Sequence, residues 1–251
     1  MLTDEELLRY SRQILLQQVD IDGQLKLKNS RVLIVGLGGL GSPVALYLAA
    51  AGVGELHLAD FDSVDLTNLQ RQVIHDSATV GESKVDSASH RLRLNNPHIT
   101  LVAHRSALDA DSLADVVGAV DLVLDCSDNF ATREAVNRAC VAARKPLVSG
   151  AAIRLEGQLS VFDSRQSASP CYHCLYGHGS EEELTCSEAG VIGPLVGVIG
   201  SLQALEALKV LAGFGEPLVG RLLLVDALST RFRELRVKRD PACSVCGTGH
   251  A

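Results

Sequence analysis

A strand-forming run that ends in glycines constrains this chain more than any other feature. RVLIVG (31–36) is short, continuous and rich in β-branched residues, and it leads directly into Gly36-Leu37-Gly38-Gly39-Leu40-Gly41. Alanine and leucine at helical spacing follow over 40–51, and ELHLADFD (55–62) then alternates like a strand and ends in acids. Strand, glycine turn, helix and strand make a β-α-β unit, which favours a parallel sheet covered by helices. In G-x-G-x-x-G the first glycine permits the tight turn and the second lets the backbone approach phosphates. The third lets the helix pack close, so that its N-terminal amides face an anion. Asp60 ends the second strand 19 positions after Gly41, where an acid accepts hydrogen bonds from ribose hydroxyls. Read alone, this fingerprint favours a nicotinamide or flavin dinucleotide over ATP.

The alternation continues. Helices are expected over 84–94 (halted by Asn95-Asn96-Pro97), near 109–117 and over 132–143, with strands at 99–103, at 121–126 and from Pro146. After Gly150 the pattern changes: 157–163, 221–227 and 230–237 read as strands of an antiparallel region, and a loop-rich stretch occupies 163–190. Residues 4–18 read as one amphipathic helix with Leu7, Leu8, Ile14 and Leu15 on one side. The expected fold class is α/β, a Rossmann-like, mostly parallel sheet with helices on both faces, continued by a C-terminal antiparallel region. The net charge of −7 argues against a nucleic-acid partner, which selects basic surfaces. The N-terminus lacks a signal-peptide layout, and the most apolar segment, 194–211, carries Gln203, Glu206 and Lys209. A cytoplasmic protein without a membrane partner is therefore expected. The wider apolar stretch 191–214 fits a core helix or an interface equally.

What separates ATP from a dinucleotide is charge. Hydride transfer leaves its cofactor intact, whereas breaking an α–β phosphoanhydride drives negative charge onto pyrophosphate and calls for cations and a metal site. Downstream of Asp60 lie Asp62, Asn68, Gln70, Arg71 and Lys84, then Asp125 and Asp128 at the end of an expected strand. Ligands of open α/β sheets bind beyond strand C-termini, so Asp60, Asp62, Asp125 and Asp128 are expected around one cleft. Each residue also has a plainer reading: Arg71 and Lys84 as solvated charges, Asp128 as the N-cap of the helix over 132–143.

RYSRQI (9–14), GLGGLGS (36–42), DFDSVDLTNLQRQ (60–72), GESK (81–84), DLVLDCSDN (121–129) and two CxxC pairs, in this order over nearly the whole chain, resemble the ubiquitin-activating-type adenylyltransferases. The resemblance implies a nucleotidyltransferase in which the C-terminal glycine carboxylate of a small ubiquitin-like sulfur carrier ending in Gly-Gly attacks the α-phosphate of ATP. It implies that Gly36, Gly38, Gly39, Gly41 and Asp60 hold the nucleotide, with Asp62 beside them, and that Asn68, Arg71 and Lys84 contact the phosphates. Asp128, with Asn129 next to it, would hold Mg²⁺. Arg12 would reach the site of the other subunit of a homodimer, which makes a heterotetramer with two carriers; a plain helix-face arginine is its alternative. SGAAIRLEGQ (149–158) and LTCSEAGV (184–191) are similar to members that serve molybdenum cofactor biosynthesis, acting on the carrier subunit of molybdopterin synthase; the thiazole-pathway carrier is the alternative. One adenylating domain is expected over 1–251, with a helical arm (1–30), a nucleotide-binding part (31–150) and a carrier-binding and zinc part (151–251). The rival classes are a dinucleotide-dependent oxidoreductase and a zinc-stabilised scaffold without catalysis.

Seven cysteines in a cytoplasmic chain argue against a disulfide framework. Cys171/Cys174 and Cys243/Cys246 form two CxxC knuckles with 68 residues between them. Four thiolates suit a closed, structural Zn²⁺ site that clips the C-terminal region to the loop-rich stretch. His173 and His178 are expected as bystanders, and Cys126 and Cys140 as small buried hydrophobes. Cys186 is open: helix-dipole activation is conceivable, yet adenylation needs no nucleophilic cysteine.

Overall fold

The structure, a computed structural model, describes residues 1–177 and 189–247. The β-α-β unit forms from the glycine turn outward: β1 (Arg31–Val35), α1 (Gly41–Ala51) and β2 (Glu55–Ala59). Then come α2 (Lys84–Asn95), β3 (Thr100–His104), α3 (Ala110–Ala119), β4 (Leu122–Asp125), α4 (Phe130–Ala142) and β5 (Pro146–Ile153). The chain next reverses into β6 (Glu156–Asp163), makes the short helix α5 (Tyr172–Tyr176) and the long helix α6 (Gly193–Ala212), and ends in β7 (Arg221–Asp226) and β8 (Arg231–Arg236).

All eight strands join one sheet in the order β3-β2-β1-β4-β5-β6-β7-β8. Pairing is parallel from β3 to β5 and antiparallel from β5 to β8, as the change of pattern after Gly150 predicts. Alternate side chains of one strand enter different cores. Val32 and Ile34 pack with Leu56, Leu122 and Val148 beneath α1, α2 and α6. Leu33 and Val35 pack with Val123 and Leu147 beneath α3, α4 and α5. Burial on both faces explains why these strands read as unbroken apolar runs. By length and composition α6 alone among the described helices could cross a membrane, but half of it is buried against α1, β5 and β6.

The N-terminal arm differs from the expected single helix. Residues 4–18 give two short helices, Asp4–Arg9 and Ser11–Ile14, and a third spans Asp20–Lys28. Tyr10 breaks the first run. It is buried, its hydroxyl accepts a 2.8 Å hydrogen bond from Asn96 Nδ2, and its ring fills the space that a Cβ on Gly52 would occupy. Leu7, Leu8 and Leu15 remain exposed, so the apolar side of this arm is not core within one chain.

Candidate functional site

Strand order turns between β1 and β4, each of which also has a parallel neighbour on its far side. Ligands of such sheets sit in the crevice beyond the strand ends at that switch point. A cavity of about 340 Å³ lies there, within the range of small-molecule pockets. Gly36 turns the chain with φ +91, and a Cβ on Gly41 would meet the Gly36 carbonyl at 1.9 Å. Glycine at these two positions lets α1 start directly against the turn. No side chain caps α1; in its first turn Ser42 N–H donates to Gly38 O at 3.0 Å and Pro43 has no N–H, so the amides left for an anion are those of the glycine loop just ahead of it. Asp60 fixes the loop: Oδ2 accepts from Leu37 N–H at 2.7 Å and Oδ1 from Asp62 N–H at 2.9 Å.

The cavity brings together Gly36, Gly38, Gly39, Asp60, Asp62, Arg71, Lys84, Asp128 and Asn129. Lys84 is nearly buried at the start of α2 and its Nζ donates to Asp62 Oδ2 at 2.8 Å. This removes the reading of Lys84 as a solvated charge. Arg71 is half-buried, with Nη1 donating to Thr67 O at 3.3 Å. Phe61, Ala107, Leu108 and Leu113 supply an apolar wall. Neither Asn68 nor Arg12 lines the cavity; Asn68 donates to Thr67 Oγ1 at 3.4 Å, and Arg12 is exposed.

One expectation is corrected, and one of the plainer readings falls. Asp125 is fully buried and lies behind the cleft instead of in it. Its Oδ1 accepts from Ser127 N–H and Oγ–H (3.1 and 2.6 Å), and its Oδ2 accepts from Ser149 Oγ at 3.0 Å. Nor is Asp128 the cap of α4. Asn129 Oδ1 accepts from Thr132 N–H at 2.9 Å, so the helix starts two residues earlier than expected, at Phe130, and Asp128 stays exposed. Sequence reading missed Arg133, Ser127 and Gln72, all in the lining. Arg133 carries no motif signal; it is buried in the first turn of α4, and its Nη2 donates to Ser127 O at 3.0 Å.

His75, also missed, braces the loop from below. Nε2 lies 3.0 Å from Leu37 O and Nδ1 2.8 Å from Ser87 Oγ. A carbonyl only accepts, so Nε2 carries the proton, and Nδ1 faces a Ser87 hydroxyl that also donates to Thr79 Oγ1 at 3.1 Å. Burial lowers the His75 pKa; the Leu37 carbonyl opposes that shift, and Lys84 adds to it. A lowered folded pKa means that the unfolded chain binds the proton first, so this contribution is full above about pH 6.5 and is lost as pH falls through the folded value. The melting temperature of the wild type is expected to fall more steeply from pH 7 to pH 5 than that of His75→Gln. Equal slopes would show that His75 does not titrate in this window.

The four knuckle thiols also converge. Sγ–Sγ distances are 3.8 Å (Cys171–Cys174), 3.7 Å (Cys171–Cys243) and 3.4 Å (Cys174–Cys246), and all four sulfurs lie within 4.8 Å of one another. Sulfurs about 2.3 Å from a tetrahedral centre are about 3.8 Å apart, so the cluster can hold a metal ion. Burial opposes the Cys243 thiolate, but N–H groups of Cys246 and Val245 outweigh it and bring the thiol to about 7. His173 is a brace, with Nδ1 2.7 Å from Glu134 Oε1 and Nε2 3.0 Å from Ser244 Oγ. Asn137 Nδ2 lies 3.8 Å from Cys171 Sγ. Thus α4 runs from the cleft, at Asn129 and Arg133, to the sulfur cluster. Cys126 and Cys140 are buried as expected; His178 and Cys186 lie outside the described residues.

The pattern of the ThiF family matches residues 10–245. The molybdopterin-synthase adenylyltransferase of Escherichia coli K12 is 56% identical over 246 residues, covering 98% of each chain. The sulfur carrier protein ThiS adenylyltransferase of the same organism is 48% identical over 250 residues, covering 100% of this chain and 99% of that one. Among solved structures, that of E. coli MccB with AMPCPP and MccA superimposes with a TM-score of 0.86 at 27% identity. It covers 98% of this chain and 75% of that one. Glycine loop, cleft, sulfur cluster and these likenesses agree: the chain belongs to the ThiF family.

Proposed function

We propose that this enzyme adenylates the C-terminal glycine carboxylate of the small sulfur-carrier subunit of molybdopterin synthase, in the cytoplasm. One observation carries the reading: the glycine loop, Arg71, Lys84 and Asp128 line a single cleft at the switch point of the sheet. A carboxylate oxygen of the carrier attacks the α-phosphorus of ATP, the bond to the α–β bridging oxygen breaks, and its electron pair leaves on pyrophosphate. The products are an acyl-adenylate and pyrophosphate. The loop amides and Asp60 hold the nucleotide through phosphates and ribose, with Asn68 contributing from its turn. Arg71 and Lys84 face the charge that develops on the leaving group, where fixed cations act most strongly. Asp62 keeps Lys84 aimed, and the site residues would hold Mg²⁺ through Asp128 with Asn129 beside it. Mg²⁺, when bound, supplies charge neutralisation to the phosphates.

Cys171, Cys174, Cys243 and Cys246 fit Zn²⁺ in a structural role, as four sulfurs leave no open position for catalysis. Arg12, exposed on its own chain, would act in the cleft of a second copy, giving a homodimer and, with two carriers, a heterotetramer. The greater identity to the molybdopterin-synthase enzyme than to the ThiS enzyme favours the first carrier; the thiazole-pathway carrier is the second reading. ATP–pyrophosphate exchange tests both. Exchange is expected with the molybdopterin-synthase carrier and at most weakly with the thiazole one. The reverse preference would transfer the assignment, and silence with both would end the adenylation reading.

A further inference from the structure

Gln72 is 4% exposed, lines the cleft, and carries a buried Oε1 with no hydrogen-bond partner among the described residues. Its backbone is fixed: the N–H donates to Asn68 O at 3.0 Å, and the carbonyl accepts from His75 N–H at 3.1 Å. The side-chain amide bonds to no described protein group. It lies over the glycine loop, with Nε2 3.4 Å from where a Cβ on Gly38 would stand. A buried amide without protein partners is costly, and methionine or leucine would fill the same space without that cost. Native chains keep few such groups, and a ligand that arrives later is one reason to keep one. Here the amide sits over the loop whose backbone receives an anion, and it offers a donor that leaves the balance between Arg71, Lys84 and the acids unchanged.

We propose that Gln72 is a further nucleotide-binding residue: the two ends of its side-chain amide exchange by rotation about the last torsion, and with –NH₂ in the place of the unpartnered Oε1 it donates a hydrogen bond to the phosphate chain of ATP. The assignment rests on the ATP reading above. The test uses the whole chain and two readouts, melting temperature without ligand and direct binding of α,β-methylene ATP. Gln72→Met keeps the volume and removes the orphaned amide, so its melting temperature is expected to equal the wild type's or to rise by roughly 2–4 °C. Its Kd for the analogue is expected to rise about ten- to hundredfold, as for a lost hydrogen bond to a charged group. Gln72→Glu should bind more weakly still, with the excess loss shrinking as salt is added. A stable Gln72→Met chain that binds like the wild type overturns the proposal, as does one whose binding falls only together with its melting temperature. A wild-type chain that fails to bind the analogue overturns the ATP reading and this proposal with it.

Discussion

Asp128→Ala is expected to lower ATP–pyrophosphate exchange at least about a thousandfold, ~4 kcal/mol of transition-state stabilisation, with the fold intact. Asp128 is exposed and accepts no hydrogen bond among the described residues, and α4 is capped by Asn129. Its loss should therefore change stability by no more than about 0.5 kcal/mol. Its proposed task is to hold the cation that offsets charge moving onto pyrophosphate, and no other acid of the strand end is free for that task. Asp125, three residues earlier, is fully buried and saturated by Ser127 and Ser149. Asp125→Ala should instead lose stability, because it strands buried donors. Asp128→Asn separates charge from shape and should be nearly as inactive as alanine. Exchange and melting curves on the three variants decide the matter; retained exchange in Asp128→Asn would remove the metal-holding role.

The second large effect concerns the sulfur cluster. One Zn²⁺ per chain is expected by elemental analysis, and Cys243→Ala/Cys246→Ala should lose it. The cluster ties Cys171, just ahead of α5, to Cys243, a span of 72 positions. A cross-link closing a loop of that length stabilises by about 4 kcal/mol through the unfolded state alone. At roughly 2–4 °C per kcal/mol for a chain of this size, a drop of roughly 8–16 °C follows. Because Asn137 and Glu134 on α4 contact the cluster and its brace, loosening should spread toward Arg133 at the other end of the helix. Absence of metal from freshly purified protein, or an unchanged melting curve after its removal, would count against a structural zinc.

Much of this was legible in the sequence because it is local. Strands apolar on both faces, a glycine turn and an acid at a fixed distance announce a parallel sheet with its nucleotide loop, and paired CxxC knuckles announce a sulfur cluster. What escaped depends on contacts between distant residues. Asp125 and Asp128 look equivalent as letters; pairing of β4 with β1 and β5 buries one and leaves the other in the cleft. The arm reads as one helix by spacing, but Tyr10 has a partner in Asn96, 86 positions away, and its burial interrupts the run. Gln72 and Arg133 are ordinary polar residues by local criteria. Only the tertiary fold places one over Gly38 and the other under Ser127.

The position of β1 has a consequence for how the chain is made. It is an interior strand with a buried apolar residue at four of its five positions, yet one edge is completed by β2, close by, and the other only by β4, about 90 residues later. Until residues 122–125 exist, a growing chain presents an unprotected edge of Val32, Leu33, Ile34 and Val35. Such an edge is a template for pairing with other chains, and parallel, non-local pairing is slow to close. The strand that founds the nucleotide site is thus one whose second edge waits about 90 residues of synthesis for its partner, which places the risk of misassembly in the first half of the chain.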